Sequence, residues 1–243
     1  VDFVEAFSAK LAEMLGGMKD INMRGVGIGA PNANYHKGTI ELAPNLRWKG
    51  IVPLGDMIEK KTGLSVKLTN DANAAALGEM LFGAARGMKD FIILTLGTGL
   101  GSGIVVDGEV VYGHTGFAGE LGHLTVVPGG RVCGCGRRGC LETYASATGL
   151  VRTALSLLSD RRDDSILRSM KSTEITSRRI AEAAAAGDVI AAEAMDQTAR
   201  MIAQGIANSV IFSSPEAVFL FGGLAQAGDA IIVPARKYAD EMV

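Results

Sequence analysis

The sequence predicts an α/β protein, because segments with strand-like and helix-like apolar spacing alternate along the chain. The clearest run is strand, helix, strand, helix between residues 26 and 82. Two other strand-like segments lead into glycine turns, at Gly97 and at Gly222, where backbone can approach a ligand closely. The dipeptide Asp107-Gly108 between two short apolar segments is a strong hairpin signal. The chain therefore combines α/β units with an antiparallel hairpin.

Helical spacing of apolar residues predicts the helices in chain order. In the first of them, Phe3 and Phe7 recur at helical spacing and Gly16-Gly17 ends the run. A later, longer segment stops before Pro215, which cannot continue a helix. The predicted helices cover 2–18, 54–62, 72–82, 146–158, 175–186, 189–212 and a last segment that starts near Asp229.

Short apolar runs bounded by glycine, proline or charge predict the strands. The first run stops at Pro31, and the last leads into Gly222-Gly223. The predicted strands cover 26–31, 66–68, 91–96, 103–106, 109–112 and 217–221. No internal repeat or low-complexity tract interrupts this order.

Composition restricts the class of protein. The chain has 243 residues and 48% hydrophobic content, enough for one large domain or two small ones. Lysine and arginine total 24 against 26 acidic residues, and this net charge of −2 gives no reason to expect a nucleic-acid or membrane partner. The apolar runs are too short to span a bilayer, and the first residues lack the pattern of a signal peptide. We therefore expect a folded, cytoplasmic protein.

All three cysteines lie in one segment, Cys133-Gly-Cys135-Gly-Arg-Arg-Gly-Cys140, and His123 precedes it by about the length of a short hairpin. Three thiolates and one imidazole make a complete tetrahedral set for zinc, and a set without a vacant position is structural. We therefore predict a structural zinc site formed by His123, Cys133, Cys135 and Cys140. The alternatives are a disulfide with a spare thiol, or three ordinary buried cysteines.

Two glycine turns are candidate nucleotide contacts. The first, at residues 97–101, lies between two apolar strands, so its backbone amides would point at an anion and Thr98 would offer a hydroxyl. The Gly-x-Gly-x-x-Gly motif of dinucleotide-binding proteins is followed by a helix, whereas a strand follows here. The second, Gly222-Gly223, ends a strand ahead of a helix, where backbone can approach a nucleotide. A plain hairpin and a packing corner are the alternatives. The candidate phosphate contacts of the first turn are Gly97, Thr98, Gly99 and Gly101.

Polar residues at two places are candidate substrate contacts. Asn70 and Asp71 stand between a predicted strand and a helix, at the edge where open α/β sheets bind ligands. There the Asp71 carboxylate could accept a proton from a substrate hydroxyl. The alternative is that Asn70 and Asp71 only cap the helix. Glu120 and Glu142 bracket the cysteine segment, so a bound metal would hold them, and the free ring nitrogen of His123, toward a polyol. Surface ion pairing is the alternative for both glutamates.

Taken together, three segments resemble the ROK family (repressors, open reading frames and sugar kinases). They are Glu120-Leu-Gly-His123 with the cysteine segment and Cys140-Leu-Glu142, then Thr69–Glu79, and Leu96–Gly103. The resemblance spans essentially the whole chain. It implies an actin-like, hexokinase-like ATPase fold of the ribonuclease H type, with two lobes around a cleft. It also implies ATP-dependent phosphorylation of a hexose at its 6-hydroxyl, with Mg²⁺ and structural Zn²⁺, and a homodimer for the full-length protein.

The resemblance implies a role for each matching residue. Asp71 takes the position of the general base, and Gly222-Gly223 lies beside the adenosine. The loop Gly29-Ala-Pro31-Asn32 corresponds to a sugar-proximal loop that usually ends in glycine, so asparagine is a departure. Glucose is the first acceptor expected, ahead of fructose, mannose, N-acetylglucosamine and N-acetylmannosamine. The implied sugar ligands are Asn70, Glu120, His123, Glu142, Pro31 and Asn32.

A second departure concerns the start of the chain. ROK kinases begin with a strand and an Asp-x-Gly-Gly-Thr turn that contacts phosphate, and no segment here matches it. We therefore expect a fragment that lacks this phosphate loop and the family's last helix, with residues 1–75 as a partial small lobe and 76–243 as the large lobe. Such a fragment would have little or no kinase activity by itself. The alternatives are the effector domain of a sugar-responsive repressor and a zinc-stabilised binding module without chemistry.

Overall fold

The structure is a computed structural model that describes residues 2–18, 22–43 and 46–243. The described residues form seven α-helices and nine β-strands, which confirms the mixed α/β class. None of the described helices has both the length and the apolar character needed to cross a membrane. The chain forms two compact units. The first comprises Val1–Leu77 and Tyr112–Ala118, and the second comprises Gly78–Val111 and Gly119–Val243.

The first unit contains two small sheets. Strands β1 and β5 pair in parallel, with Gly29 opposite Thr69 at the end of both strands, while β2, β3 and β4 form an antiparallel sheet. Gly63 caps the end of helix α2, and its left-handed backbone (φ 70°) suits glycine. The elements are α1 (Asp2–Gly16), β1 (Val26–Gly29), β2 (Ala33–Asn34), β3 (Thr39–Glu41), β4 (Ile51–Val52), α2 (Leu54–Thr62), β5 (Val66–Thr69) and α3 (Asp71–Phe82).

The core of the first unit joins both of its sheets to helix α2. Ile40, Ile58 and Leu68 are each at most 2% exposed and belong to one apolar cluster. The antiparallel sheet was not predicted from the sequence, because strands of two or three residues are too short to show an alternating pattern. The predicted strand 26–31 is shorter in the structure and ends at Gly29.

The second unit is built on a four-stranded sheet in the order β8-β7-β6-β9. Strand β9 runs parallel to β6, and the other neighbours are antiparallel. Single turns of 3₁₀ helix at Leu121–His123 and Leu141–Thr143 flank the cysteine segment. The elements are β6 (Phe91–Leu96), β7 (Leu100–Val106), β8 (Glu109–Val110), α4 (Ala147–Asp160), α5 (Ser177–Ala185), α6 (Val189–Ser213), β9 (Ala217–Phe221) and α7 (Asp229–Met242).

Central strand β6 is almost completely buried, as expected for a strand covered on both faces. Leu94 and Leu96 of this strand join residues of helices α4 to α7 in a single apolar cluster. The hairpin at Asp107-Gly108 is confirmed, with positive φ at both residues (51° and 77°), as a type I′ turn requires. Strand β7 begins at Leu100, three residues earlier than Gly103, where the prediction started it. The glycine turn is therefore only three residues long.

Candidate metal centre and active site

Four side chains of the second unit converge as the sequence predicted for a metal site. The ligand atoms of His123, Cys133, Cys135 and Cys140 all lie within 4.8 Å of one another. The His123 Nδ1 to Cys133 Sγ distance and the Cys135 Sγ to Cys140 Sγ distance are both 3.7 Å. Tetrahedral zinc with usual bond lengths would separate such atoms by about 3.6–3.8 Å. The arrangement therefore fits zinc, and all three cysteines are free, so the disulfide alternative is wrong.

Local hydrogen bonds shape the cysteine segment around this centre. The amide of Cys133 donates to the Arg137 carbonyl at 2.9 Å, and the amide of Gly136 donates back to the Cys133 carbonyl at 3.0 Å. A single bridge also pairs Thr125 with Cys140. Backbone hydrogen bonds therefore hold the chain at two of the four candidate ligands, Cys133 and Cys140.

The three thiols differ in acidity. Burial raises the pKa of Cys133 to about 12. Burial also opposes ionisation of Cys135, but hydrogen bonds from the Arg137 backbone and side chain outweigh it and lower the pKa of Cys135 to about 6. Burial, followed by the neighbouring Cys135, raises the pKa of Cys140. One sulfur is therefore a thiolate at neutral pH, and the other two would release protons on binding a metal.

Arg131 supports the metal loop and was not identified from the sequence. Its guanidinium Nη1 donates to the Thr143 carbonyl at 2.8 Å and to the Gly149 carbonyl at 3.2 Å, and Nη2 donates to Thr153 Oγ1 at 3.0 Å. The guanidinium carbon also lies 4.5 Å from the centre of the Tyr144 ring. These contacts fasten the residue two positions before Cys133 to helix α4. A lone arginine beside a cysteine gives no such signal in sequence.

Glu142 connects the metal centre to the glycine turn. Its Oε1 lies 3.4 Å from Cys133 Sγ, and its Oε2 accepts the Leu100 amide at 3.1 Å. Glu120, the other predicted carboxylate, is exposed and immediately precedes the turn that carries His123. Surface ion pairing was the alternative for Glu142, and its contacts with an amide and a thiol do not support it.

The turn at Gly97–Gly99 is held from outside by helix α4. The Ala147 amide donates to the Gly97 carbonyl at 2.9 Å, and Thr148 Oγ1 donates to the Thr98 carbonyl at 2.7 Å. Within the turn the Gly97 amide donates to the Gly99 carbonyl. In the described part of the chain, this leaves the amides of Thr98 and Gly99 without a protein acceptor. Gly101 lies within β7, opposite Thr95, and not in the turn itself.

Gly222-Gly223 lies beside that turn, because β6 and β9 are parallel neighbours that end together. Gly222 has φ 101°, and a Cβ there would lie 2.7 Å from the Leu96 carbonyl oxygen, so only glycine fits. A cavity of about 560 Å³ opens next to Gly223. Helix α5 lines the other side of this cavity with Arg178 and Ala181. This volume is in the range of small-molecule sites.

The remaining predicted residues belong to the first unit. Asn70 Oδ1 accepts the Ala72 amide at 2.8 Å, so the predicted helix cap is present. Asp71 follows it at the start of α3, and its side chain is exposed, with Oδ1 3.0 Å from the same amide. A carboxylate in this position is open to an incoming hydroxyl group. Capping and catalysis therefore do not exclude each other here.

The loop after β1 lies at the same sheet edge as Asp71. The amide of Ala30 donates to the Thr69 carbonyl at 2.9 Å, and a Cβ on Gly29 would lie 3.6 Å from Asp71 Cα. Pro31 follows, and then Asn32 with φ 53°, a left-handed conformation that asparagine tolerates better than most residues. The Asn32 side-chain amide donates to the Glu41 carbonyl at 3.0 Å. Asn32 thus occupies a left-handed position that glycine would also tolerate.

Comparisons with known proteins agree with this geometry. The model of the ROK family matches residues 2–242. A glucokinase of Halalkalibacterium halodurans is 41% identical over 217 residues, which cover 88% of this chain and 66% of the relative. A xylose repressor of Caldicellulosiruptor bescii is 37% identical over 218 residues, covering 89% of this chain and 54% of the repressor. The chain thus spans about two thirds of that glucokinase and about half of that repressor.

A similar solved structure identifies the fold. The ROK family glucokinase from Streptomyces griseus, in complex with glucose and AMPPNP, superposes with a TM-score of 0.83 at 37% identity. The match covers 98% of this chain and 77% of that structure. The predicted actin-like, hexokinase-like ATPase fold is therefore confirmed. Sequence, metal-centre geometry and fold agree that this chain belongs to the ROK family.

Proposed function

We propose that this chain is the sugar-kinase domain of a ROK protein, which transfers the terminal phosphoryl group of ATP to the 6-hydroxyl of a hexose, with glucose as the first acceptor. The observation that carries the proposal is the contact of Glu142 with the glycine turn. Glu142 lies two residues after the candidate metal ligand Cys140, and its Oε2 accepts the amide of Leu100 at 3.1 Å. A sugar-binding loop and a phosphate-binding turn need this kind of common support if the two substrates are to meet in line.

In this proposal the second unit binds the nucleotide. Phosphate oxygens would accept hydrogen bonds from the amides of Thr98 and Gly99, which have no acceptor of their own in the described structure. The adenosine would enter the cavity between Gly223 and helix α5. Magnesium, when bound with ATP, neutralises charge on the transferred group.

The metal centre would orient the sugar ligands. Zinc, when bound by the four predicted residues, would lock the cysteine loop, and His123 would use Nδ1 for the metal and keep Nε2 for a sugar hydroxyl. Glu120 and Glu142 would accept hydrogen bonds from other hydroxyls, together with Asn70 and the loop at Pro31-Asn32. These roles follow the family pattern residue by residue.

Asp71 would act as the general base. Its carboxylate would accept the proton of the 6-hydroxyl as that oxygen attacks the phosphoryl group. Such a role needs a carboxylate that a substrate can reach, and Asp71 is exposed at the carboxyl end of β5. The proposal further takes residues 1–75 and 76–243 as the small and large lobes, places the protein in the cytoplasm, and expects a homodimer of the full-length protein.

A coupled assay of ADP formation by the full-length protein, against a panel of hexoses, tests the proposal. Asp71→Asn is expected to lower kcat by about 10²–10⁴-fold while glucose affinity stays close to that of the wild type. Asp56→Asn is the matched control, because Asp56 is also an exposed aspartate in the first turn of a helix in the first unit. Turnover of Asp71→Asn equal to that of the control would remove Asp71 from the mechanism.

The effector domain of a sugar-responsive repressor is the second candidate, because the xylose repressor matches nearly as well as the glucokinase. Retention of Asp71 and of the whole glycine turn favours the kinase, since a sensor requires neither a base nor a phosphate site. Calorimetric titration separates the candidates. Binding of both hexose and ATP supports the kinase, whereas binding of hexose alone, without phosphorylation, supports a sensor or a binding module.

A further inference from the structure

A buried serine lies on the strand that follows the glycine turn. Ser102 of β7 is 6% exposed, and it lies two residues after Leu100. Its hydroxyl donates to the Gly119 carbonyl and accepts the Leu121 amide at 3.0 Å. The two partners are the residues on either side of Glu120. One hydroxyl therefore holds the backbone before and after a predicted sugar ligand.

Close backbone packing supports the same contact. A Cβ on Gly122 would collide with the Leu100 carbonyl, and a Cβ on Gly119 would lie 3.4 Å from the Ser102 carbonyl oxygen. The segment that carries Glu120 therefore lies directly on strand β7. Its position depends on β7 through both backbone contact and the serine hydroxyl.

We propose that Ser102 is a positioning residue for sugar binding, because its hydroxyl fixes the backbone from which Glu120 reaches the substrate. This inference rests on the proposed function, in which Glu120 is a sugar ligand. Strand β7 also supplies the Leu100 amide that binds Glu142. The same strand thus supports both carboxylates and adjoins the turn assigned to phosphate, so sugar affinity depends on a residue that does not touch the sugar.

The expected effect is selective. Ser102→Ala removes the hydroxyl and leaves the Leu121 amide only its contact with the Gly119 carbonyl at 2.9 Å. We expect the dissociation constant for glucose to rise about tenfold, because two buried hydrogen bonds that hold the backbone around Glu120 are lost with the hydroxyl. ATP affinity and zinc content are expected to stay unchanged, because neither ligand set includes Glu120.

A double-mutant cycle tests whether Ser102 acts through Glu120. Glucose binding is measured by calorimetry for the wild type, Ser102→Ala, Glu120→Gln and the double variant. If the inference is right, Ser102→Ala adds less than about twofold in the Glu120→Gln background. Ser209→Ala is the matched control, because Ser209 is also buried (2% exposed) and donates to a backbone carbonyl, that of Gly205, at 2.7 Å. The control is expected to bind glucose like the wild type.

Three results would overturn the inference: equal glucose affinity in Ser102→Ala and the wild type, full additivity with Glu120→Gln, or a parallel loss of ATP and zinc binding. Hydrogen exchange of the Leu121 amide gives a readout that needs no ligand. Faster exchange in Ser102→Ala supports the contact, and unchanged exchange contradicts it. If the wild-type chain binds no hexose, the proposed function fails, and the exchange rates still decide whether Ser102 holds this segment.

Discussion

Arg131 gives the sharpest test of how the metal centre is supported. The substitution Arg131→Met keeps most of the aliphatic stem and removes all the guanidinium donors. Three donor contacts are lost, to Thr143, Gly149 and Thr153, together with the stacking of the guanidinium on the Tyr144 ring. The two carbonyls and the Thr153 hydroxyl would then lie in a partly buried site without this partner. We expect lower stability and a looser cysteine loop.

The magnitude follows from these contacts. A hydrogen bond to a charged group contributes about 1.5–3 kcal/mol, and a partly exposed cation–π contact about 0.5–1 kcal/mol. Because the guanidinium is only partly buried and the contacts share one side chain, we expect a total loss of about 3 kcal/mol. For a chain of this length that corresponds to a fall in Tm of about 6–12 °C.

The measurements are thermal unfolding and the rate of zinc release to a chelator. Arg138→Met is the matched control, because Arg138 also flanks the cysteines but is exposed, with one long hydrogen bond of 3.3 Å to the Gly130 carbonyl. Arg131→Met is expected to release zinc faster than this control. A Tm within about 2 °C of the control, with the same release rate, would refute the reasoning.

Three further predictions concern the second unit. Cys135→Ser is expected to lose zinc and to bind glucose more weakly because the loop loses order, and unchanged metal content and Tm would contradict this. Zinc binding at pH 7 is expected to release about two protons, since the pKa of Cys133 is about 12, that of Cys140 is raised and that of Cys135 is about 6. Affinity should therefore rise with pH, and calorimetry in buffers of different ionisation enthalpy counts the protons. Burial opposes ionisation of Asp188, but hydrogen bonds from the Ala191 amide, Ser165 and the Ile166 amide outweigh it and lower its pKa. Its stabilisation is thus present above the unfolded pKa of about 3.9 and is lost as pH falls through the lower folded value. Asp188→Ala is therefore expected to lower the free energy of unfolding by about 2–4 kcal/mol at pH 7 and by less in acid, as denaturant titration at both pH values would show.

The cluster of candidate metal ligands could be recognised from sequence because its chemistry is local. One histidine and three cysteines lie close together in the sequence, so a short stretch of chain can bring their side chains to one point. The structure brings their ligand atoms together. The strand end before Asp71 was also recognisable, because an apolar run followed by Asn70-Asp71 marks the start of a helix. The length of the glycine turn could not be predicted from the sequence, because glycine is common in turns and also fits into strand β7.

The sequence by itself therefore determined the family, the order of most helices and strands, and the side chains able to bind a metal, because these depend on residue types at short, regular spacings. Only the tertiary structure decided how those side chains are supported. The Glu142 carboxylate accepts a hydrogen bond from the Leu100 amide, which is 42 positions away in the sequence. The Ser102 hydroxyl bonds to the backbone of Gly119 and Leu121, on either side of Glu120. Arg131 likewise binds helix α4. Such contacts have no periodic pattern in sequence, since they depend on which distant backbone groups remain unpaired once strands and helices have packed.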